Sequence, residues 1–301
     1  MSDVEWDDLR IFLAVAEAEQ IGLAAQSLQM DPTTVGRRLR RLEQQLGSPA
    51  FERTRSGQTL TESGHALLER VETMAQAAQD ISIKANADRG ISGNLRISVS
   101  EGFGSRFLSR FVKDFSAAHP ALTLDLVANS GFLSPSRREA DIAVMLSRPK
   151  AGPVLSRKLA DYKLKLYASG EYLRTLGAPA SLRDLRRDHT LVGYVPDLVY
   201  APELNYLGEF ESGLTARIRS SSINAQLELL RGGVGIGVLP CFIGDLADDL
   251  TAIFPEQSIT RSFWLVTHRD TQNLMRVKAG KEWLLHCVRE GKAQLLPEDQ
   301  V

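Results

Sequence analysis

Six arginines, Arg37, Arg38, Arg40, Arg41, Arg53 and Arg55, crowd one stretch of a chain whose overall charge is only minus one. Against Glu43 and Glu52 they leave residues 33–55 with a net charge of plus four, while acidic residues gather at the N-terminus. Basic charge concentrated in this way suits a phosphate backbone, so the chemistry on offer is contact with double-stranded DNA. Taken alone, such a run is more often a solvated helix face.

The elements that would carry the arginines argue against that reading. Asp31 can accept hydrogen bonds from free amides of a first helical turn, and Pro32 stands where its missing N–H costs nothing. Val35, Leu39, Leu42 and Leu46 follow at steps of four, three and four, forming one apolar stripe. The other faces carry Thr33, Thr34, Arg37, Arg38, Arg40 and Arg41, and Gly47 with Pro49 signals the stop. Upstream, Leu9, Phe12, Leu13 and Ala16 mark a helix over 6–18, and a short one follows at 23–28. Three helices in this order form a helix-turn-helix unit. Residues 51–60 then give two short extended runs around a Ser-Gly turn, a wing with Arg53 and Arg55 near its tip.

Residues 6–64, through WDDLRIFLAVAEAE, LAAQSL, TTVGRRLRRLEQQLG and FERTRSGQTLTESG, closely resemble the DNA-binding domain of LysR-type transcriptional regulators. The order of motifs, their spacing and the length of 301 residues all fit that bacterial family. The chain departs from it at Gly36, where many members carry Ser, and at Pro32-Thr33, where many carry Gln-Pro or Gln-Ser. Glycine inside a helix costs up to about 1 kcal/mol relative to alanine, and close approach to the DNA backbone would be one reason to keep it.

After the wing, Thr61 can cap a long helix running to about residue 89. Its apolar residues Leu67, Val71, Met74, Ala78, Ile81 and Ala85 step by four, three, four, three, four, a heptad seam that buries little unless a second helix covers it. Packing onto the same chain is the alternative, and the small alanines make the seam weak. The resemblance implies that this segment is the linker helix that pairs subunits, with Leu67, Val71, Met74, Ala78 and Ile81 as the dimerisation positions. A homodimer, or a homotetramer built from two, would present its recognition helices to half-sites about one turn of DNA apart.

Gly90, Ser92 and Gly93 break the helix, and strands then alternate with helices, which argues for a mainly parallel sheet covered on both faces. Strands are expected at 95–100, 122–128, 140–146, 164–168, 191–195, 214–219, 235–239 and 263–267, with helices at 103–118, 223–230 and 283–290. A region of about 208 residues is comfortable for two α/β lobes. The resemblance continues more weakly through NLRISVS, EADIAVM and GGVGIGVLP, and implies a periplasmic-binding-protein-like effector domain with a ligand cleft between its lobes. The expected organisation is thus 1–60 winged helix-turn-helix, 61–90 dimerisation linker, and 91–301 effector-binding domain. Lobe one is 94–162 with 269–301, lobe two 163–268, and the chain crosses near 161–164 and 267–269.

Ligands of open α/β folds bind at the carboxyl edge of the sheet, among loop amides and hydroxyls. The expected effector contacts are therefore Ser100, Glu101, Gly102 and Ser130 from lobe one, Tyr194 and Ser221 from lobe two, and Thr267 at the crossing. Each alone could be only a turn or an N-cap. Many members of the family answer to small carboxylates, which helix N-termini favour. Glu101 would repel an anion unless Arg106 or a neighbour offset it, so a neutral, zwitterionic or amine-bearing effector stays open.

Composition narrows the function classes. No stretch approaches 18 apolar residues and the N-terminus is acidic, so a signal peptide, a membrane span and a membrane partner are not expected, and the protein is expected in the cytoplasm. Cys241 and Cys287 lie in apolar surroundings and read as buried, inert thiols. The five histidines lack ligand spacing, and the glycines of 232–237 precede a strand rather than a helix, so neither a metal nor another cofactor is expected. An enzyme carrying a helix-turn-helix is the competing class; it lacks a nucleophile elbow, a metal triad and a cofactor loop, and no catalytic residue is assigned. The leading expectation is an oligomeric transcription factor answering to a small-molecule effector, with RNA polymerase as a further partner.

Overall fold

The computed structural model describes residues 4–54, 57–85, 90–129, 131, 133–137 and 139–298, and the chain divides near residue 88 into two compact units. In the N-terminal unit α1 (Trp6–Ala18), α2 (Ile21–Leu28) and α3 (Pro32–Leu46) precede a hairpin of β1 (Phe51–Arg53) and β2 (Gln58–Leu60), then α4 (Glu62–Ala85). The Asp31 carboxylate caps α3, accepting from the amides of Thr33 at 2.8 Å and Thr34 at 3.4 Å. Gly47 ends the helix with a φ of 72°. Phe12 and Val15 of α1 meet Val35 and Leu42 of α3 in a core from which all four are excluded from solvent.

The wing is fastened at both ends. Glu43 reaches from α3, and its Oε1 accepts from the amides of Ala50 at 2.9 Å and Phe51 at 3.2 Å. At the turn, Gly57 has a φ of 150°, and a Cβ there would stand 2.2 Å from the Glu19 carbonyl oxygen. Only glycine lets the hairpin lie this close to the end of α1. Thr61 caps α4 as its sequence position predicts: its Oγ1 accepts from Gly64 N at 3.0 Å and donates to Pro49 O at 2.7 Å.

The C-terminal unit opens with β3 (Gly93–Ser100). The single helix expected over 103–118 is three segments of different pitch: a π turn (Phe103–Phe107), a 3-10 turn (Leu108–Phe111) and α5 (Val112–Ala118). β4 (Leu122–Asn129), β5 (Ile142–Met145) and the long β6 (Val154–Ser169) follow, then α6 (Gly170–Leu176), α7 (Asp184–Arg187), β7 (Leu191–Gly193), α8 (Leu207–Phe210) and β8 (Ile218–Arg219). The chain continues through α9 (Ile223–Arg231), β9 (Ile236–Pro240), α10 (Cys241–Gly244), β10 (Leu250–Ile253), β11 (Ile259–His268), α11 (Met275–Glu290) and α12 (Lys292–Leu295).

The strand order β4-β3-β5-β11-β6-β9-β7-β8, with β10 on β6, resolves into two parallel half-sheets. β3 pairs in parallel with β4 and β5 in lobe one, and β7 with β8 and β9 in lobe two. Between them β6 and β11 run antiparallel for their shared length, Ile259 opposite Leu164 and His268 opposite Val154. Leu95, Ile97, Val99, Ile142, Val144, Leu164 and Leu166 are fully buried because helices cover both faces.

Within the expected crossing at 161–164, Leu164 pairs with Pro240 of β9. The other lies earlier than 267–269. Trp264 to Thr267 pair with Met145 to Ile142 of lobe one, and the register of β11 on β6 shifts between Phe263 and Trp264. A bulge there lets one strand serve two differently twisted half-sheets. Among the described residues no helix is long and apolar enough to cross a membrane.

Candidate DNA-binding and effector sites

The predicted DNA contacts do not share one environment. Thr33 and Arg37 are exposed and Thr34 is half-buried in the first turns of α3; Arg37 makes no hydrogen bond or ion pair with another described residue. Arg38 and Arg41 turn the other way. Arg38 Nε stands 2.6 Å from Asp8 Oδ1, Arg41 Nε 2.8 Å from Asp8 Oδ2, and Arg41 Nη2 2.8 Å from Glu5 Oε2. Asp8 is 0% exposed, so its charge is held in place by these two guanidiniums. Its hydrogen bond, then that of Glu5, raises the affinity of Arg41 for its proton. The sequence carried a signal for this clamp: Asp8 lies one turn before Phe12 on the apolar face of α1, and an acid there requires a cation from the facing helix. The side chain of Arg53 and all of Arg55 lie outside the described residues.

Gly36 has no packing reason within the chain, because a Cβ built on it meets nothing within 4 Å. Arg40 Nε instead donates to the Gly36 carbonyl at 3.2 Å. The heptad seam divides. Val71 is 1% exposed within the core of its own unit, with Leu67 packed beside it, whereas Met74 is 47% exposed. Ala78 is half-buried and the side chain of Ile81 lies outside the described residues.

In the C-terminal unit, Ser100, Glu101, Gly102, Tyr194 and Ser221 converge on one cavity of about 20 Å³ between the lobes. Thr267 does not join them. It lies opposite Ile142, the first residue of β5, on an antiparallel strand, which places it at the amino edge of the lobe-one half-sheet, where it lines a separate hollow with Arg157 and Lys281. Ser130 lies outside the described residues.

Glu101 links the two lobes. Its Oε1 accepts from Ser222 Oγ at 2.7 Å and Asn224 Nδ2 at 3.0 Å, and its Oε2 accepts from the amide of Ile223 at 3.0 Å. A lobe-one carboxylate thus occupies the positive N-terminus of α9 in lobe two. Arg106 does not neutralise it; its Nε donates to Asn224 Oδ1 at 2.9 Å.

Sequence reasoning missed most of the aromatic wall. All six tyrosines of the chain lie between 162 and 206, and Tyr162, Tyr194, Tyr200 and Tyr206 line the cavity with Phe103 and Phe263. That clustering was the available signal. The Tyr162 and Phe263 rings stack at 4.2 Å, and those of Tyr194 and Tyr206 meet edge to face at 6.1 Å. Burial keeps the Tyr194 and Tyr206 phenols protonated well above their ordinary range and pushes Tyr200 up to about 12, with the Glu101 charge adding at Tyr194 and Tyr200. Beyond this wall a hollow of about 510 Å³ lies within lobe two. Cys241 and Cys287 are buried and free, their thiols pushed up to about 11 and about 12 by burial. No group of His, Cys, Asp or Glu among the described residues could hold a metal ion.

A winged helix-turn-helix joined to a two-lobed domain with an interlobe cavity defines a ligand-responsive DNA-binding regulator. Residues 6–65 match the family model for the bacterial regulatory helix-turn-helix protein of the lysR family, and residues 88–288 match that for the LysR substrate binding domain. The chain belongs to the LysR family of transcriptional regulators, proteins that bind DNA and small-molecule effectors and form oligomers. It is 29% identical over 264 residues to the Mau operon transcriptional activator of Paracoccus denitrificans, covering 87% of this chain and 89% of that one. Its fold matches that of CrgA from Neisseria meningitidis with a TM-score of 0.58 at 24% identity, over 94% of this chain and 99% of that one. A full-length OxyR cysteine variant from Pseudomonas aeruginosa gives a TM-score of 0.69 at 19% identity, over 95% and 98%.

Proposed function

We propose that this regulator reads its operator with Thr33, Thr34 and Arg37 from the first turns of α3, with Arg53 and Arg55 of the wing on the flanking phosphates. The observation that carries the assignment is the split between neighbours: Arg37 is exposed and uncommitted, while Arg38 and Arg41 hold α3 against α1 through Asp8. The latter two support the helix rather than touch DNA. The effector occupies the interlobe cavity, contacting Ser100, Glu101, Gly102, Tyr194 and Ser221, and the chain carries out no catalysis. Residues 1–60 form the DNA-binding domain, 61–90 the linker and 91–301 the effector domain, with the second lobe boundary at the Phe263/Trp264 bulge.

Subunits pair through the seam of α4 beyond Val71, where Met74 is exposed and Ala78 and Ile81 follow at heptad spacing, into a homodimer or a homotetramer in the cytoplasm. Changes in lobe closure alter the placement of the DNA-binding pairs and so the access of RNA polymerase. Footprinting on the DNA upstream of the gene tests the reading. A protected pair of half-sites that Arg37→Ala abolishes supports it; equal protection by the variant removes Arg37 from the interface.

A further inference from the structure

We propose that the interlobe cavity is a receptor for a small organic ammonium ion, its charge met by the Glu101 carboxylate and its methyl or methylene groups packed against Tyr162, Tyr194, Tyr200 and Tyr206. The proposal rests on the reading of this cavity as the effector site and adds the chemical class of the effector.

Charge is the first argument. Among the described residues lining the cavity, Glu101 is the one carboxylate, and no lysine, arginine or histidine joins it. Arg261, whose charge acts on Tyr162 and Tyr206, does not line the cavity and pairs with Glu209. An anionic effector would find the α9 N-terminus already taken by a carboxylate. A cation meets that carboxylate without displacing it, since among the described residues Oε2 accepts only from the Ile223 amide and retains capacity for a further donor.

Wall chemistry is the second. Four phenol rings and three phenyl rings around one carboxylate form the kind of box that attracts alkylated ammonium groups, through the negative faces of the rings and through contact with carbon-bound hydrogens polarised by the charge. Size is the third. At about 20 Å³ the cavity exceeds the roughly 10–15 Å³ that one water requires, and has no room for a ring or a long chain. It therefore fits an ammonium bearing one or two small alkyl groups, and larger ions require the lobes to part. Because Glu101 also joins lobe one to Ser222, Ile223 and Asn224 of lobe two, a cation seated on it bears directly on one of the contacts between the lobes.

Calorimetric titration of the full-length protein tests this with methylammonium, dimethylammonium, tetramethylammonium and, as the anionic counterpart, acetate, all at matched ionic strength. The expected order is methylammonium and dimethylammonium above tetramethylammonium, with no acetate binding. Glu101→Gln and Tyr194→Leu should each weaken methylammonium by about tenfold, whereas Tyr194→Phe, which keeps the ring, should stay within about threefold of the parent. Cooperative melting of each variant verifies that it is folded, and Tyr194→Phe against Tyr194→Leu gives the answer even where Glu101→Gln loosens the lobes. Acetate binding in place of methylammonium overturns the ammonium assignment while leaving the cavity as the effector site. Methylammonium binding unchanged in Glu101→Gln and Tyr194→Leu places the ion elsewhere and overturns it, as does absence of heat with every ammonium probe. Failure of the regulator reading itself is separate, being absence of a footprint from the unliganded parent.

Discussion

Between Arg37 and Arg38 the helix turns by about 100°, which carries one guanidinium into solvent and the other to within 2.6 Å of Asp8. Single substitutions should separate the two roles. Arg37→Ala is expected to weaken operator binding by about 1–3 kcal/mol with an unchanged melting curve, measured by fluorescence anisotropy and circular dichroism. Arg38→Ala removes a hydrogen bond to a fully buried carboxylate, so the N-terminal unit should lose on the order of 1.5–3 kcal/mol in urea titration. Equal DNA affinity after Arg37→Ala, or unaltered stability after Arg38→Ala, would reverse the assignments. The stripe of Val35, Leu39 and Leu42 told which side of α3 faces the core, but an arginine on the edge of that stripe can go either way. Only the position of Asp8 decides.

The α4 helix shows the same limit at the next scale. Its heptad spacing is real, yet the first heptad is covered by α1 and the rest of its own unit, so Val71 is a core residue and Met74 is not. Val71→Lys should therefore unfold the N-terminal unit, because a lysine ammonium has no partner in that apolar core. Met74→Lys should leave helicity and melting unchanged while shifting sedimentation from dimer toward monomer. A folded Val71→Lys protein, or a Met74→Lys protein that remains fully dimeric, would return the seam to its simpler form. Spacing identified which residues of α4 avoid water; it could not say which neighbour covers each one.

Across the whole effector domain, the tyrosine wall links stability to alkaline pH. Tyr200 is held up to about 12, above the usual phenol value near 10, so the folded state binds this proton more tightly than the unfolded chain. That contribution is fully present below pH 10 and is lost as pH rises through about 12. Stability by urea titration should fall across this window, more shallowly for Tyr200→Phe, and tyrosinate absorbance should rise with unfolding rather than before it. Equal slopes for the two proteins would show that Tyr200 titrates freely. Of the seven expected effector residues six are described; five of them line the interlobe cavity and Thr267 lines another hollow. Apolar spacing marks the Thr267 strand but not its direction, and in an antiparallel strand the last residues return to the opposite edge of the half-sheet.

Local signals sufficed for what local chemistry dictates. Asp31 and Gly47 bound α3, Thr61 starts α4, apolar alternation marks β3, and the basic stretch from Arg37 onward, set between the preceding helices and the wing, points to a DNA-binding unit. Those features depend on residues a few positions apart, and the resemblance of residues 6–64 set them in order. Tertiary structure alone decided that Arg37 remains free while Arg38 and Arg41 do not, that Val71 is covered while Met74 is exposed, and that Glu101 reaches α9 beside an aromatic cavity. Each of these joins residues far apart in sequence, Asp8 to Arg38 or Glu101 to Asn224, and depends on how whole elements are directed and packed. Spacing along the chain encodes the faces of elements; which faces meet is a property of the fold.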